Sequence, residues 1–318
     1  MSRRRHLRLV LHGKASGRPE VRAAVEAVRA DGHRVDVRLT WEAGDAVRLA
    51  KEAAADGVDT VVAGGGDGSL NEVVSGVVDG SGPPRCSLGL LPLGTANDFA
   101  HGCGLPIEDL TAALRLAAES EPRPIDLATI SGRVVVNVAS GGFGTRVTVE
   151  TPPELKKVLG KVSYLLTGAT RFNEFGSEEG TFRGPDFEWQ GPIVALAVGN
   201  GRQAGGGVQL CPEALLDDGL LDVAILPEVP REEQNEKLKA LVLEGLPALE
   251  REVVRARLPW VELDVPSGLH VNLDGEPIHG TKFRFEVREK WLRFHLPDGA
   301  PVGAVPKGVE GERTGDEA

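Results

Sequence analysis

The sequence predicts an α/β domain followed by a mostly β domain, and three observations carry that expectation. At 318 residues the chain exceeds what one hydrophobic core usually organises, so two cores are expected. Its first third alternates Val-rich, strand-like runs with Ala-rich helical ones, the pattern of a parallel sheet covered by helices. From about Asp126 many short strands punctuated by Gly and Pro take over, which indicates a β-sandwich. The boundaries read as 1–126 for the α/β domain, 127–297 for the sandwich, and 298–318 for a tail rich in Gly, Pro and charge that is expected to be disordered.

In chain order, the expected elements are a strand at Leu7 to Leu11, a helix from Pro19 to Ala30, a strand at His33 to Leu39, a helix from Gly44 to Ala55 and a strand at Val58 to Ala63. A helix at Leu70 to Val78, a strand at Ser87 to Leu91 and a helix at Ile107 to Ala118 complete the first domain. The second is expected to hold strands at Leu127 to Ile130, Arg133 to Val138, Ile193 to Val198, Leu221 to Leu226, Val253 to Val265, Leu269 to Leu273, Lys282 to Val287 and Trp291 to Leu296. Helices near Glu154 to Arg171 and Arg231 to Ala248 interrupt it. In open α/β sheets ligands bind beyond the carboxyl ends of the strands, which directs attention to the loops there.

Composition narrows the function classes. A hydrophobic fraction of 41% with 26% charged residues is that of an ordinary soluble protein with apolar material for both cores. The net charge of -11 opposes non-specific attraction to nucleic acid or to an anionic membrane, so no nucleic-acid partner is expected and any membrane contact must be local. Cys86, Cys103 and Cys211 are too scattered for a disulfide framework or a zinc site and suit a reducing compartment. The basic N-terminus runs directly into a short strand, without the apolar stretch of a signal peptide. The best apolar run, Ile193 to Val198, has strand length, far short of the ~20 residues that span a bilayer.

The segment from Val61 to Glu72 passes from a buried strand through Gly64-Gly65-Gly66-Asp67-Gly68-Ser69 into a helix. Glycines let backbone N–H groups approach an anion without Cβ interference, and the helix N-terminus adds a favourable dipole, so the loop reads as a phosphate cradle. Ser69 and Glu72 also have the spacing of a capping box, and those two side chains read equally as helix capping. The same order of residue types recurs: Gly68-Ser69-Leu70-Asn71-Glu72 is matched by Gly94-Thr95-Ala96-Asn97-Asp98. Two helix starts after sequential strands would flank one crevice, each offering amides and a hydroxyl to a polyphosphate. No GxGxxG fits the first loop, and GxxxxGK[ST], the protein-kinase set, GxSxG and HExxH are missing, which removes the Rossmann, P-loop, protein-kinase, serine-hydrolase and zinc-peptidase readings.

At these residues the sequence resembles the diacylglycerol kinase catalytic family, and within it the bacterial YegS-like lipid kinases. The similarity runs to about residue 297 through five ordered motifs: Leu39-Thr40-Trp41-Glu42, the glycine loop, Pro92 to Ala100, Gly199 to Gly219, and Asn272 to Pro277. It implies a phosphofructokinase-like three-layer α/β domain, a C-terminal β-sandwich, and a cleft between them for ATP and lipid. It implies nucleotide contacts from Thr40, from Gly66, Asp67, Gly68, Ser69, Leu70, Asn71 and Glu72, and from Thr95, with Asp67 as a catalytic partner of magnesium or phosphate. This chain carries Ser69 where the commonest family pattern has Thr, which keeps the hydroxyl.

The turn Asn272-Leu273-Asp274-Gly275-Glu276-Pro277 is similar to the family's catalytic turn, implying Glu276 as the general base that takes the proton of the acceptor hydroxyl. A base for the hydroxyl and Mg²⁺ for the phosphate charge are the minimum that phosphoryl transfer asks for. Read locally, Asp274-Gly275 is a hairpin turn, and one segment can do both. The run Leu215 to Asp222 is similar to the family's second metal loop, implying Mg²⁺ held by the carbonyls of Leu215 and Leu220 and the carboxylate of Asp218. Read locally it is an Asp-Gly turn with a solvated acid. Gly199 to Gly207 reads as a mobile cleft loop.

The implied activity is ATP- and Mg²⁺-dependent phosphotransfer to a hydroxyl of a lipid such as diacylglycerol or phosphatidylglycerol, in lipid metabolism, by a cytoplasmic enzyme that visits the inner membrane surface transiently. Leu155, Val158, Leu159, Val162 and Leu166 lie at helical spacing with Lys156, Lys157 and Lys161 on another face, which offers a basic membrane contact. The plainer reading is a helix packed on its own domain. Arg3-Arg4-Arg5 is a second candidate for that contact. The rivals are an NAD kinase, whose family shares the Gly-Gly-Asp-Gly loop, and a catalytically silent lipid or nucleotide sensor. Neither the accepting lipid nor the oligomeric state is legible.

Overall fold

Strands β1 (His6–Leu11), β2 (Arg34–Leu39), β3 (Thr60–Gly65) and β4 (Ser87–Pro92) form a parallel sheet in the order β2-β1-β3-β4. The computed structural model describes residues 4–78, 82–142, 177–230, 232–233, 251–274 and 276–303. Helices α1 (Pro19–Ala30), α2 (Asp45–Ala55), α3 (Asp67–Val77), α4 (Asp98–Cys103) and α5 (Leu110–Glu119) cover the sheet. Alternation along the strands explains the two faces. Leu7, Leu9, Leu11, Val62 and Leu91 pack with Val21, Val25, Val28, Leu114 and Ala117 of α1 and α5. Val10, Val61, Ala63, Leu88 and Leu90 pack with Leu49, Ala50, Leu70, Val73 and Val74 of α2 and α3. Apolar residues at both phases make these strands near-continuous hydrophobic runs, as sheets buried on both faces require.

The second domain comprises β5 (Arg123–Ile130), β6 (Arg133–Val135), β7 (Val138–Gly142), β8 (Glu178–Gly184), β9 (Phe187–Gly199), the small pair β10 (Gln203–Ala204) and β11 (Val208–Gln209), β12 (Leu221–Pro227), β13 (Val254–Leu258), β14 (Trp260–Leu273) and β15 (Glu276–Phe294). Its core gathers Phe182, Ile193, Leu196, Val198, Val223, Ile225, Val261, Leu263, Val271, Phe283 and Phe285. The expected architecture of an α/β domain followed by a sandwich is therefore present.

The long strand β15 belongs to both halves. It pairs along most of its length with β14 and β5, and at its end Phe294 pairs in parallel with Leu88 of β4, so the strand path runs unbroken as β13-β12-β9-β7-β14-β15-β4-β3-β1-β2. Leu292, Phe294, Leu296 and Ala300 are buried in the α/β core. The chain does not leave the fold at Pro297: the Leu216 amide donates to the Pro301 carbonyl at 2.9 Å. Residues 304–318 of the expected tail lie outside the described residues, as do the helix expected at 154–171 and nearly all of that expected at 231–248.

Local differences from expectation have identifiable causes. The strand expected over Arg133 to Val138 breaks between β6 and β7, because the amides of Val136, Asn137 and Val138 turn to the Asp274 carboxylate. The strands expected at Lys282 to Val287 and Trp291 to Leu296 are one strand, β15, with an irregularity after Arg288 at which Lys290 takes φ 49 and donates its amide to Asp126. Strand β8, whose Glu and Gly residues are depleted in strands, is absent from the expected elements and is held by β9 and β14.

Candidate active site

The carboxyl ends of β1, β3 and β4 meet the start of β15 around an open cavity of about 550 Å³. From the β3–α3 loop it is lined by Gly65, Gly66, Gly68, Ser69 and Glu72, and from the β4 loop by Leu93 and Gly94. The segment after β1 contributes His12, Lys14, Ala15 and Arg18, and the sandwich contributes Glu276. The glycines are dictated by contact. A Cβ on Gly65 would lie 2.2 Å from Ser69 Oγ, and one on Gly94 would lie 2.5 Å from Gly66 Cα, so the two loops touch backbone to backbone. The Leu93 amide donates to the Gly65 carbonyl at 2.8 Å and fastens them.

Helix α3 begins at Asp67 with Gly66 at its N-cap and no side-chain cap. Ser69 and Glu72 are therefore not a capping box: both lie inside the helix and face the cavity. The first intrahelical bond is Leu70 N to Gly66 O at 3.0 Å, so the amides of Gly68 and Ser69 precede it and have no partner within the helix. Leu70, an expected nucleotide contact, is 1% exposed with its side chain in the core and its amide in that helical bond.

The second loop is built differently. Asn97 takes φ 49, accepts from the Gly94 amide at 2.9 Å and donates back to the Gly94 carbonyl at 3.0 Å. Helix α4 starts only at Asp98, and its first amides, those of Asp98 and Phe99, donate to the Asp67 carboxylate at 3.0 and 2.9 Å. Of the two helix starts expected to offer amides to a phosphate, that of α4 has its first amides taken by Asp67, whereas α3 leaves its early amides without a partner in the helix. Asp67, expected beside magnesium or phosphate, caps α4 with both carboxylate oxygens. Thr95 is exposed beside Gly94. Thr40 stands one step behind the cavity wall: its Oγ1 accepts from the Gly13 amide at 3.2 Å and its amide donates to Leu11 O.

The Gly199 to Gly207 segment, expected as a mobile cleft loop, is hydrogen-bonded to the start of α4. The amides of Gly206 and Gly207 donate to the Asp98 carboxylate at 2.8 and 2.6 Å, and Gln203 Nε2 donates to Asp98 O at 3.0 Å. Arg5, expected at a membrane, is turned inward, donating to Ser120 O at 2.6 Å and pairing with Glu121.

Electrostatics around the cavity are mixed. Burial raises the pKa of Glu72, the charge of Glu276 adds to this, and His12 opposes it. Glu276 is exposed and pairs with Arg133 at 3.2 Å. Asp274 is half-buried with its carboxylate turned inward; burial pushes it up to about 6 against the opposing effect of Asn71 and the Val136, Asn137 and Val138 amides. His12, Lys14 and Arg18 were not singled out in the sequence. Their only signal was position, immediately after the first strand of an α/β sheet.

The loop Leu215 to Leu220 does not line the cavity. Asp218 accepts from the Leu220 amide at 3.1 Å and pairs with Arg257, which also reaches Asp222. Asp126, 1% exposed, accepts from the Gly219 and Lys290 amides. Burial raises all three carboxyls, Asp222 to about 6. Asp218 and Asp222 share the Arg257 guanidinium, and the charge of Asp218 also acts on Asp126, which leaves negative charge uncompensated, a setting suited to a hard cation. Among the described residues no group of three or more His, Cys, Asp or Glu side chains is arranged to hold a metal, so backbone carbonyls would have to supply the remaining donors. Among the described residues, too, no helix is long and apolar enough to cross a membrane.

Comparison with known proteins agrees with this geometry. Residues 6–130 match the diacylglycerol kinase catalytic domain, and residues 137–295 match the YegS C-terminal NAD kinase beta sandwich-like domain. A Pseudomonas aeruginosa (strain UCBPP-PA14) protein named "Probable lipid kinase YegS-like" is 53% identical over 298 residues, covering 94% of this chain and 96% of its own. One of the same name from Pseudomonas syringae pv. syringae (strain B728a) is 50% identical over 308 residues, covering 96% and 98%. A crystal structure of a diacylglycerol kinase from Bacillus anthracis str. Sterne superposes with a TM-score of 0.71 at 18% identity, covering 94% of this chain and all of that one, which shows a shared fold. The chain therefore belongs to the YegS-like lipid kinases, with a diacylglycerol kinase catalytic domain as its first half.

Proposed function

We propose that this kinase uses ATP with Mg²⁺ to phosphorylate a hydroxyl of a membrane lipid, with Glu276 as the base. One observation carries the reading: Glu276, from the second domain, opens into the same cavity as Ser69, Glu72 and the amide end of α3. The Gly68 and Ser69 amides, the Ser69 hydroxyl and the α3 dipole would receive the terminal phosphates. His12, Lys14 and Arg18 add positive charge on the facing wall. Glu276 takes the proton from the acceptor hydroxyl as its oxygen attacks the γ-phosphorus. The bond from that phosphorus to the bridging oxygen breaks, and ADP leaves with the electron pair. Magnesium would supply neutralisation of the phosphate oxygens; on the α/β side Asp67 supports nucleotide use by holding the second loop in place. A further cation would be held by Asp218 with the carbonyls of Leu215 and Leu220, and would order that loop. Thr40 and Thr95 serve as supporting residues at the edge of the nucleotide site. The enzyme works from the cytoplasm through transient contact with the inner membrane surface.

The test is labelled ATP with Mg²⁺ offered to diacylglycerol, phosphatidylglycerol, a sphingoid base and NAD. Label is expected in a lipid hydroxyl and lost on adding a chelator. Label in NAD alone would replace this reading with an NAD kinase.

A further inference from the structure

We propose that Asn71 and Asp274 form a clasp between the two domains that sets the position of Glu276 over the phosphate cradle, and that Asn71 is therefore a positioning residue and not a nucleotide ligand. The proposal rests on the reading of Glu276 as the base.

The hydrogen-bond inventory of Asn71 carries the argument. Its amide nitrogen has two hydrogens: one goes to Asp274 Oδ2 at 2.8 Å and the other to Val134 O at 3.0 Å. Its Oδ1 accepts from Ser75 Oγ at 3.4 Å. No donor is left for a phosphate, although Asn71 lies one residue from Glu72, which lines the cavity. The side chain is directed away from the ligand and toward the partner domain.

Asp274 answers from the other side. Besides Asn71, its carboxylate accepts from the amides of Val136 at 2.7 Å, Asn137 at 3.3 Å and Val138 at 3.2 Å. Those three successive amides belong to the segment joining β6 to β7, so one carboxylate ties together α3, the entry into the sandwich and the turn before β15. The turn also rests on the cradle directly: a Cβ on Gly68 would lie 3.9 Å from the Asp274 carbonyl. Asp274 holds φ 47, a left-handed conformation unusual for a residue with a side chain, and such backbone is kept only where its surroundings determine it. Glu276 follows two residues later as the first residue of β15, and its ion pair with the exposed Arg133 of β6 stays within the sandwich, so the turn at Asp274 is its near connection to the α/β domain. Where a base must meet a hydroxyl and a phosphorus in line, a displacement of about 1 Å costs on the order of a hundredfold in rate.

The experiment is Asn71→Ala, alone and combined with Glu276→Gln, reading kcat, ATP affinity and melting temperature. Asn71→Leu, similar in size without the amide, takes its place if the alanine variant does not fold. The clasp predicts that kcat falls by roughly tenfold or more with ATP affinity within about twofold, and that the substitution has no further effect on kcat once Glu276→Gln is present, because the two act as one unit. Weaker ATP binding in the Glu276→Gln background would make Asn71 a nucleotide contact and overturn the proposal, as would losses that simply add. Failure of the base reading shows elsewhere, as wild-type turnover in Glu276→Gln alone.

Discussion

The two loops that share the order Gly, hydroxyl residue, any residue, Asn, acid are used in opposite ways. In the first, Gly68 to Glu72 lies inside α3, so Ser69 and Glu72 emerge on the cavity side and the early amides remain for a ligand. In the second, Gly94 to Asn97 precedes α4, which starts at Asp98: Asn97 folds back on Gly94, the leading amides are taken by Asp67, and Asp98 anchors Gly206 and Gly207. Both loops reach the cavity, but the first leaves early helix amides without a partner in the helix, whereas those of the second are tied into the frame. The same residue types serve different ends because the helix starts at a different point relative to the pattern.

Substitutions in the two loops put that contrast under test. The largest effect is expected from Gly65→Ala, whose Cβ would occupy the position of Ser69 Oγ, 2.2 Å away. Displacing Ser69 and the start of α3 should lower kcat/KM for ATP by about a hundredfold, with the fold intact by circular dichroism. Normal ATP kinetics in this variant would remove the first loop from the nucleotide site.

The opposite end of the same sheet supplies a pH-dependent effect. His295, 1% exposed, lies within 3.0 Å of Ser87 Oγ and Ser120 Oγ and close to Thr60 and Arg5. Burial, reinforced by Arg5, lowers its pKa to about 4 from the usual 6.5. The unfolded chain therefore takes up this proton first as pH falls, so the contribution is complete above about 6.5 and lost progressively down to about 4, roughly 3 kcal/mol in all. Asp222 and Asp274, both raised to about 6, work in the opposite direction, so the measurement is the difference in stability between wild type and His295→Gln across that range. A difference that does not shrink on acidification would show that folding does not lower the affinity of His295 for its proton.

A smaller pair of substitutions separates frame from chemistry. Asp98→Ala removes the acceptor for two loop amides and should cost about 1 to 3 kcal/mol of stability, read by denaturant melts, with ATP affinity of the folded fraction little changed. Ser69→Ala should do the reverse, weakening ATP binding about fivefold, one neutral hydrogen bond's worth, at an unchanged melting temperature. Similar behaviour of the two variants would erase the contrast.

Much of this was legible in the sequence because it depends on neighbours along the chain. Helix α1 falls on its expected residues, and the α/β strands and helices fall within a few residues of theirs, since apolar periodicity and Gly or Pro punctuation are local. The glycine loop and the Asp274 turn were visible for the same reason. What stayed hidden rests on pairs far apart in sequence: Asp67 with the start of α4, Asp98 with Gly206, Asn71 with Asp274, and His12, Lys14 and Arg18 with Glu276 across one cavity. Nothing in the residues around Asn71 says that its two amide hydrogens are already committed.

By itself the sequence determined the two-domain plan, the glycine loop between β3 and α3, and the family, since each follows from local pattern or from ordered motifs. The tertiary structure alone decided which of the two matching loops leaves its early helix amides without a partner in the helix and which carboxylates hold the frame. It also decided that β15 joins the sandwich to the parallel sheet and brings Glu276 to the cavity beside the glycine loop. The physical reason is that a side chain's role depends on which donors and acceptors remain unpartnered after folding. That balance is struck between segments some 30 to 200 residues apart, such as 67 with 98 and 71 with 274, and no window along the chain contains it.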